Sequence, residues 1–268
     1  MFLFVWRPWL VEVESRHTAL ITSIAVVLAA FAGNWAVSGP PALMPSKALH
    51  WLLHLSVLVT AVSYFERRQG VCAASLVRML LIGVLLWRIM PAVVRDQEWA
   101  TPVAAGWYVG LFLSGWVVME AVARFRSVQA ASESSAWHAG ALFVWAAGCT
   151  AAIGTTSGEM ALTLAAVCGV TGAALAASIW RSSRSPWKDS TATLSFLLFG
   201  ALVITTFYAS LPRAGAAVLL LAPLPAALAS LLPGRFARPL VRLILLIAMV
   251  ALGTWLSQPE PDPYGYGY

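Results

Sequence analysis

Residues 71–94, VCAASLVRMLLIGVLLWRIMPAVV, decide how the rest of the chain is read. The run contains no acid and two basic residues, Arg78 and Arg88, among apolar side chains. A hydrocarbon layer ~30 Å thick takes about 20 residues of helix to cross, and this stretch is long enough. Eight other stretches meet the same criterion: 18–38, 48–65, 101–123, 135–156, 159–180, 191–211, 214–232 and 239–256. The expected fold is all-α: a polytopic transmembrane helix bundle of about nine spans, with eight as the alternative count. The connections are short, so residues 17–257 form one membrane domain and no soluble domain is expected.

Composition leads to the same reading. The 268 residues are 60% hydrophobic and 10% charged, with a mean hydropathy of +0.80. A water-soluble domain carries roughly 25% charged residues because its surface faces water. So large a shortfall means that most of this surface faces lipid. The net charge of +6 does not indicate nucleic acid, because the basic residues form no single stripe or tail. They fall in small groups between apolar runs, as in loops held on the cytoplasmic side beside anionic lipid. Membrane lipids are therefore the expected partners, and nucleic acid is not.

Those groups also orient the chain. With a cytoplasmic N-terminus, the inner segments hold Arg7, Arg16, Arg67, Arg68, Arg124, Arg126, Arg181, Arg184, Lys188, Arg235, Arg238 and Arg242. The outer loops hold Lys47, Arg95 and Arg213, and Arg78 and Arg88 lie within a span. This bias predicts an N-in, C-out arrangement. Trp35, Trp51, Trp99, Trp137, Trp180, Trp187 and Trp255 fall near span ends, where an indole can bury its ring and wet its N–H. The leader, 1–16, has no basic region ahead of its apolar residues and reads as an interfacial segment on the inner leaflet. The tail, 258–268 (QPEPDPYGYGY), reads as disordered on the outer face. The lack of disulfide spacing, the Gly, Ala and Leu richness and the charge bias fit a bacterial inner (cytoplasmic) membrane.

Several residues are candidates for chemistry. Arg78 and Arg88 lie roughly 7–8 Å either side of the midplane of their span. An arginine in the core costs ~3 kcal/mol by insertion scales, so each needs compensation. Depth arithmetic places Glu120, in the fourth span, within side-chain reach of Arg78 as an intramembrane structural pair. Arg88 has His50, His54 and Glu159 at similar outer depth, with Asp96 and Glu98 beyond, which suggests an outward-facing polar pocket that binds a ligand. His50 and His54 are one turn apart on one face, but no further ligands complete a metal or haem site, and no cofactor is identifiable. Pro223 and Pro225 in LLLAPLPAAL predict a kink or break in the eighth span. The three cysteines, Cys72, Cys149 and Cys168, lack metal or disulfide spacing and read as small packing residues.

Small residues recur every fourth position: Ala25, Ala29 and Gly33; Gly106, Gly110 and Ser114; Ala165, Gly169, Ala173 and Ala177. Such stripes let helices approach closely, within the chain or in a homo-oligomer. No Walker loop, dinucleotide fingerprint, HExxH or Asp-rich diphosphate motif occurs, and no catalytic residue is nameable. Whether the chain is an enzyme is left open by the sequence, and the absence of these motifs weighs against it. The first expectation is small-solute or lipid handling, in the manner of a transporter. The second is a non-catalytic subunit or scaffold of a larger membrane complex, and the third a membrane enzyme on a lipid-linked substrate.

Overall fold

The computed structural model describes residues 15–42, 45, 47–129, 135–180, 191–228 and 237–258. Among these the chain is helical and contains no strand. Its helices are α1 (Ser15–Ser38), α2 (Ala48–Asp96), α3 (Thr101–Gln129), α4 (Ser135–Gly154), α5 (Gly158–Trp180), α6 (Thr191–Tyr208), α7 (Arg213–Leu221), α8 (Pro223–Leu228) and α9 (Ala237–Leu256). Among the described residues, seven segments are long and apolar enough to cross a membrane: Ile21–Ser38, Ser75–Asp96, Thr101–Val122, Trp137–Gly154, Gly158–Ile179, Thr191–Tyr208 and Pro239–Leu256. Two shorter apolar segments, Ala48–Val62 and Arg213–Pro225, accompany them. The interfacial reading of 1–14, the disorder reading of 259–268 and the loops carrying Arg181, Arg184, Lys188 and Arg235 lie outside the described residues. So do the side chains of Arg16, Arg67, Arg68, Arg124, Arg126 and Arg238.

Helix α2 is continuous over 49 residues, which as one rod would be about 74 Å long. It is not one rod. The Arg88 guanidinium lies 4.2 Å from the centre of the Trp51 ring, and Gly200 on α6 faces the side chains of both Leu52 and Leu85. A straight helix would hold Trp51 and Arg88 about 55 Å apart. The chain therefore doubles back between Val62 and Ser75, and the arms Ala48–Val62 and Ser75–Asp96 run antiparallel. These arms correspond to the second and third stretches read from hydropathy. The backbone stays locally helical through the turn, but the helix axis reverses there.

Hydrogen bonds gather the helix ends at two poles. At the pole called upper here, Ser38 bonds Glu159, Arg213 bonds Gln97 and Thr155 bonds the Ser257 carbonyl. At the lower pole, Thr60 meets Thr193, Trp116 donates to Ser75 and Arg78 meets Glu120. Successive segments thus alternate in direction. Helix α6 stands at the centre, buried without exception from Thr191 to Thr205. Its core hydroxyls are satisfied locally, Ser195 by the Thr191 carbonyl and Thr205 by that of Ala201, so the pillar carries no unpaired hydroxyl into the core. Its upper end, Ile204–Ala209 in sequence, forms one wall of the cavity described below.

The eighth apolar stretch is split at Ala222 into α7 and α8. Pro223 has no N–H to give to the Leu219 carbonyl four residues earlier. The indole of Trp145 on α4 donates to that carbonyl instead, at 2.8 Å. Trp145 is 1% exposed, so the bond sits where water does not compete. Trp145→Phe keeps the ring and deletes the donor. It is expected to lower stability by about 1–3 kcal/mol, the cost of stranding a buried carbonyl. Thermal melts of the solubilised protein would show this, and an unchanged melt would mean that the carbonyl finds another donor.

Candidate functional site

A cavity of about 610 Å³ opens at the upper pole among the start of α2, the upper end of its second arm, the start of α5 and the end of α6. Lys47, Trp51, Arg88, Ser157, Glu159 and Tyr208 are among its lining residues. The antiparallel turn of α2 is what brings Trp51 and Arg88 together. Arg88 lies over Trp51 at 4.2 Å and near Trp87 at 5.4 Å. Cation–π attraction on two rings offsets part of the cost of placing a guanidinium in the span. Its N–H groups have no acceptor among the described residues. Glu159, in the first turn of α5, accepts the Ser38 hydroxyl, which ties α1 to α5 beside the cavity. Ser157 caps α5 by accepting the Met160 N–H at 3.4 Å. Tyr208 donates to the Ile89 carbonyl at 2.8 Å, joining α6 to the second arm of α2 one residue from Arg88.

Of the four residues read as one ligand site, two line the cavity directly. Arg88 and Glu159 line the cavity; His50 and His54 do not. His54 Nδ1 donates to the His50 carbonyl at 2.7 Å, and its ring packs 6.1 Å from Phe31 on α1. His50 is buried at 7% exposure. Residues four apart share a helix face; His54 on that face meets α1, while Trp51, the neighbour of His50, meets Arg88. Asp96 and Glu98 are exposed and are not among the lining residues. Among the described residues, no group of three or more His, Cys, Asp or Glu could hold a metal ion.

From the sequence Lys47 was read only as an outer-loop base and Trp51 only as a span-end indole, and neither they nor Ser157 and Tyr208 were assigned to the site. Trp51 and Arg88 have similar depths on adjacent antiparallel segments, and that correspondence was the available signal. At the same pole but outside the cavity lining, Trp99 stacks on Trp107 at 5.8 Å, and both meet Phe207 edge-on. Arg213 lies 5.3 Å over Trp107.

Arg78 and Glu120 lie far from this cavity, at the lower pole. Arg78 Nη1 donates to Glu120 Oε1 at 2.8 Å, with the side chains 7% and 12% exposed. One turn along, Trp116 Nε1 donates to Ser75 Oγ at 3.0 Å, so two polar links join the same pair of segments. Pro223 and Pro225 follow the α7–α8 interruption; the carbonyl that Pro223 frees is occupied by Trp145. Cys149 and Cys168 are free thiols, and Cys168 Sγ is 3.1 Å from the Thr150 hydroxyl. No family model matches the chain, and neither a curated protein nor a solved structure is significantly similar to it.

Proposed function

We propose that the chain is a nine-span protein of a bacterial inner membrane that takes a small polar solute or a lipid headgroup into its upper cavity, in the manner of a transporter. In this reading both short apolar segments cross with the seven longer ones, the N-terminus is cytoplasmic, and the upper pole and C-terminus face outward. The observation that carries it is the cavity itself: about 610 Å³ at one pole of an apolar bundle, with Lys47, Arg88 and Glu159 in its lining. Ligand sites commonly have this volume and combine apolar walls with a few polar groups. The charge bias supports the orientation, since Lys47, Arg95 and Arg213 are the only basic residues assigned to connections at this pole.

The test is accessibility. In a chain carrying Cys72→Ala, Cys149→Ala and Cys168→Ala, Ser157→Cys should react with a membrane-impermeant maleimide on intact spheroplasts. Reaction only after permeabilisation would put the cavity on the cytoplasmic side and overturn the proposal.

A separate observation favours a second reading, a subunit or homo-oligomer. Gly106 and Gly110 on α3 are exposed with nothing within 4 Å of a built Cβ, and Ala165, Gly169 and Ala173 on α5 are also exposed. These stripes lie on outer faces of the bundle, where another helix could approach closely.

A further inference from the structure

We infer that the upper cavity is a site for a phosphodiester monoanion, held by Arg88, Lys47 and the uncapped start of α2; this rests on the cavity being the outward-facing ligand site proposed above. Three kinds of donor line the cavity without acceptors among the described residues. Arg88 contributes guanidinium N–H groups that have no hydrogen-bond acceptor among the described residues, with ring contacts only to Trp51 and Trp87. The Lys47 side chain is exposed, lines the cavity, and has no hydrogen bond or ion pair among the described residues, while its carbonyl accepts the Trp51 N–H. Lys47 also occupies the N-cap of α2 and supplies no side-chain cap. The N–H groups of Ala48, Leu49 and His50 therefore have no acceptor among the described residues, and Ala48 and Leu49 line the cavity. The second helix that begins here differs, because Ser157 caps α5. An uncapped start carries partial positive charge and aims backbone donors at an anion.

Charge balance narrows the ligand class. Lys47 and Arg88 contribute two positive charges, and Glu159, already accepting from Ser38, contributes one negative charge. The net charge of +1 matches a singly charged anion. A phosphodiester presents two non-bridging oxygens, which can take a guanidinium edge and backbone N–H groups at once, and charge-assisted bonds of this type are the strong ones. Two sources offer this chemistry: a lipid headgroup and a water-soluble phosphodiester. The mouth favours the leaflet, since Trp87 beside Arg88 is 65% exposed on the outside of the bundle.

The experiment uses the full chain, delipidated in a neutral maltoside detergent and titrated with short-chain lipids in native mass spectrometry. Dioctanoyl phosphatidylglycerol should bind saturably, and dioctanoylglycerol, with the same chains and no phosphate, should not. Arg88→Gln should weaken binding by about tenfold and Lys47→Gln by several-fold. Arg88→Lys should retain part of it, while Arg213→Gln, at the same pole but outside the cavity, should match the unsubstituted protein. Glycerophosphoglycerol, the deacylated headgroup, distinguishes the sources. Competition supports an aqueous ligand at this site, and failure to compete with phosphatidylglycerol supports a leaflet ligand. Equal binding of the two lipids, or binding indifferent to both Arg88→Gln and Lys47→Gln, overturns the inference. If Ser157→Cys still labels from outside, that failure leaves the outward cavity standing.

Discussion

Glu120→Ala is expected to lower the melting temperature of the solubilised protein by on the order of 10 °C, from a loss of about 3–5 kcal/mol. The loss follows from what remains. Arg78 stays 6% exposed between α2 and α3, keeps its charge, and no longer has the carboxylate 2.8 Å away. Truncating one member of a buried pair costs more than the pair contributes, because the surviving charge was desolvated in exchange for that partner. The double variant Arg78→Leu with Glu120→Leu should therefore recover most of the lost stability, since leucines at this depth sit among apolar neighbours. The charge swap, Arg78→Glu with Glu120→Arg, should recover part, because the two side chains differ in length. A double-leucine variant as unstable as the sum of the single changes would show that the two residues act independently.

That pair was legible in the sequence because helix rise is regular. Residue count from a span end converts to depth, so a basic and an acidic side chain at like depths on adjacent antiparallel spans are candidates for contact. The long apolar runs were legible for a related reason: run length against bilayer thickness is a one-dimensional measurement. Thr101 and Thr191 begin helices where hydropathy starts them, and Trp180 ends one. The α2 turn was less legible. Its two arms were separable by hydropathy, but the backbone stays locally helical where the axis reverses.

Helix faces were not legible, and this is why His50 and His54 were grouped with Arg88. In a soluble helix the apolar face marks the core. Here lipid and core both accept leucine: Leu76 and Leu80 are each 65% exposed, while Leu81 and Leu85 on the same arm are 6% and 0% exposed. Periodicity therefore carries little rotational information, and residues at one depth can face opposite neighbours. His50 and Trp51 show this, one buried and the next beneath Arg88. The small-residue stripes were ambiguous for the same reason. Spacing identified them, but whether each faced a neighbouring helix or lipid could not be read from spacing.

That ambiguity gives the second large expected effect. Gly33→Ala should destabilise the protein by about 1–3 kcal/mol, and Gly33→Leu by more. A Cβ at Gly33 would stand 2.8 Å from the Thr163 Cα and 2.9 Å from its carbonyl oxygen. Both are backbone atoms of α5, so no side-chain rotation relieves the contact and α1 and α5 must separate. Separation would also pull the Ser38 hydroxyl from Glu159, so the variant should disturb the cavity as well as the melt. Gly106→Ala and Gly110→Ala make the opposite case. Nothing lies within 4 Å of a Cβ at either, and alanine is the better helix former by about 1 kcal/mol. In an isolated chain these variants should melt at or slightly above the temperature of the unsubstituted protein. If a second helix packs on α3, the same variants should instead reduce the oligomer seen in native mass spectra while the monomer's melt holds. A Gly33→Ala protein as stable as the unsubstituted chain would refute the close α1–α5 crossing, because no adjustment short of moving a helix accommodates that methyl group.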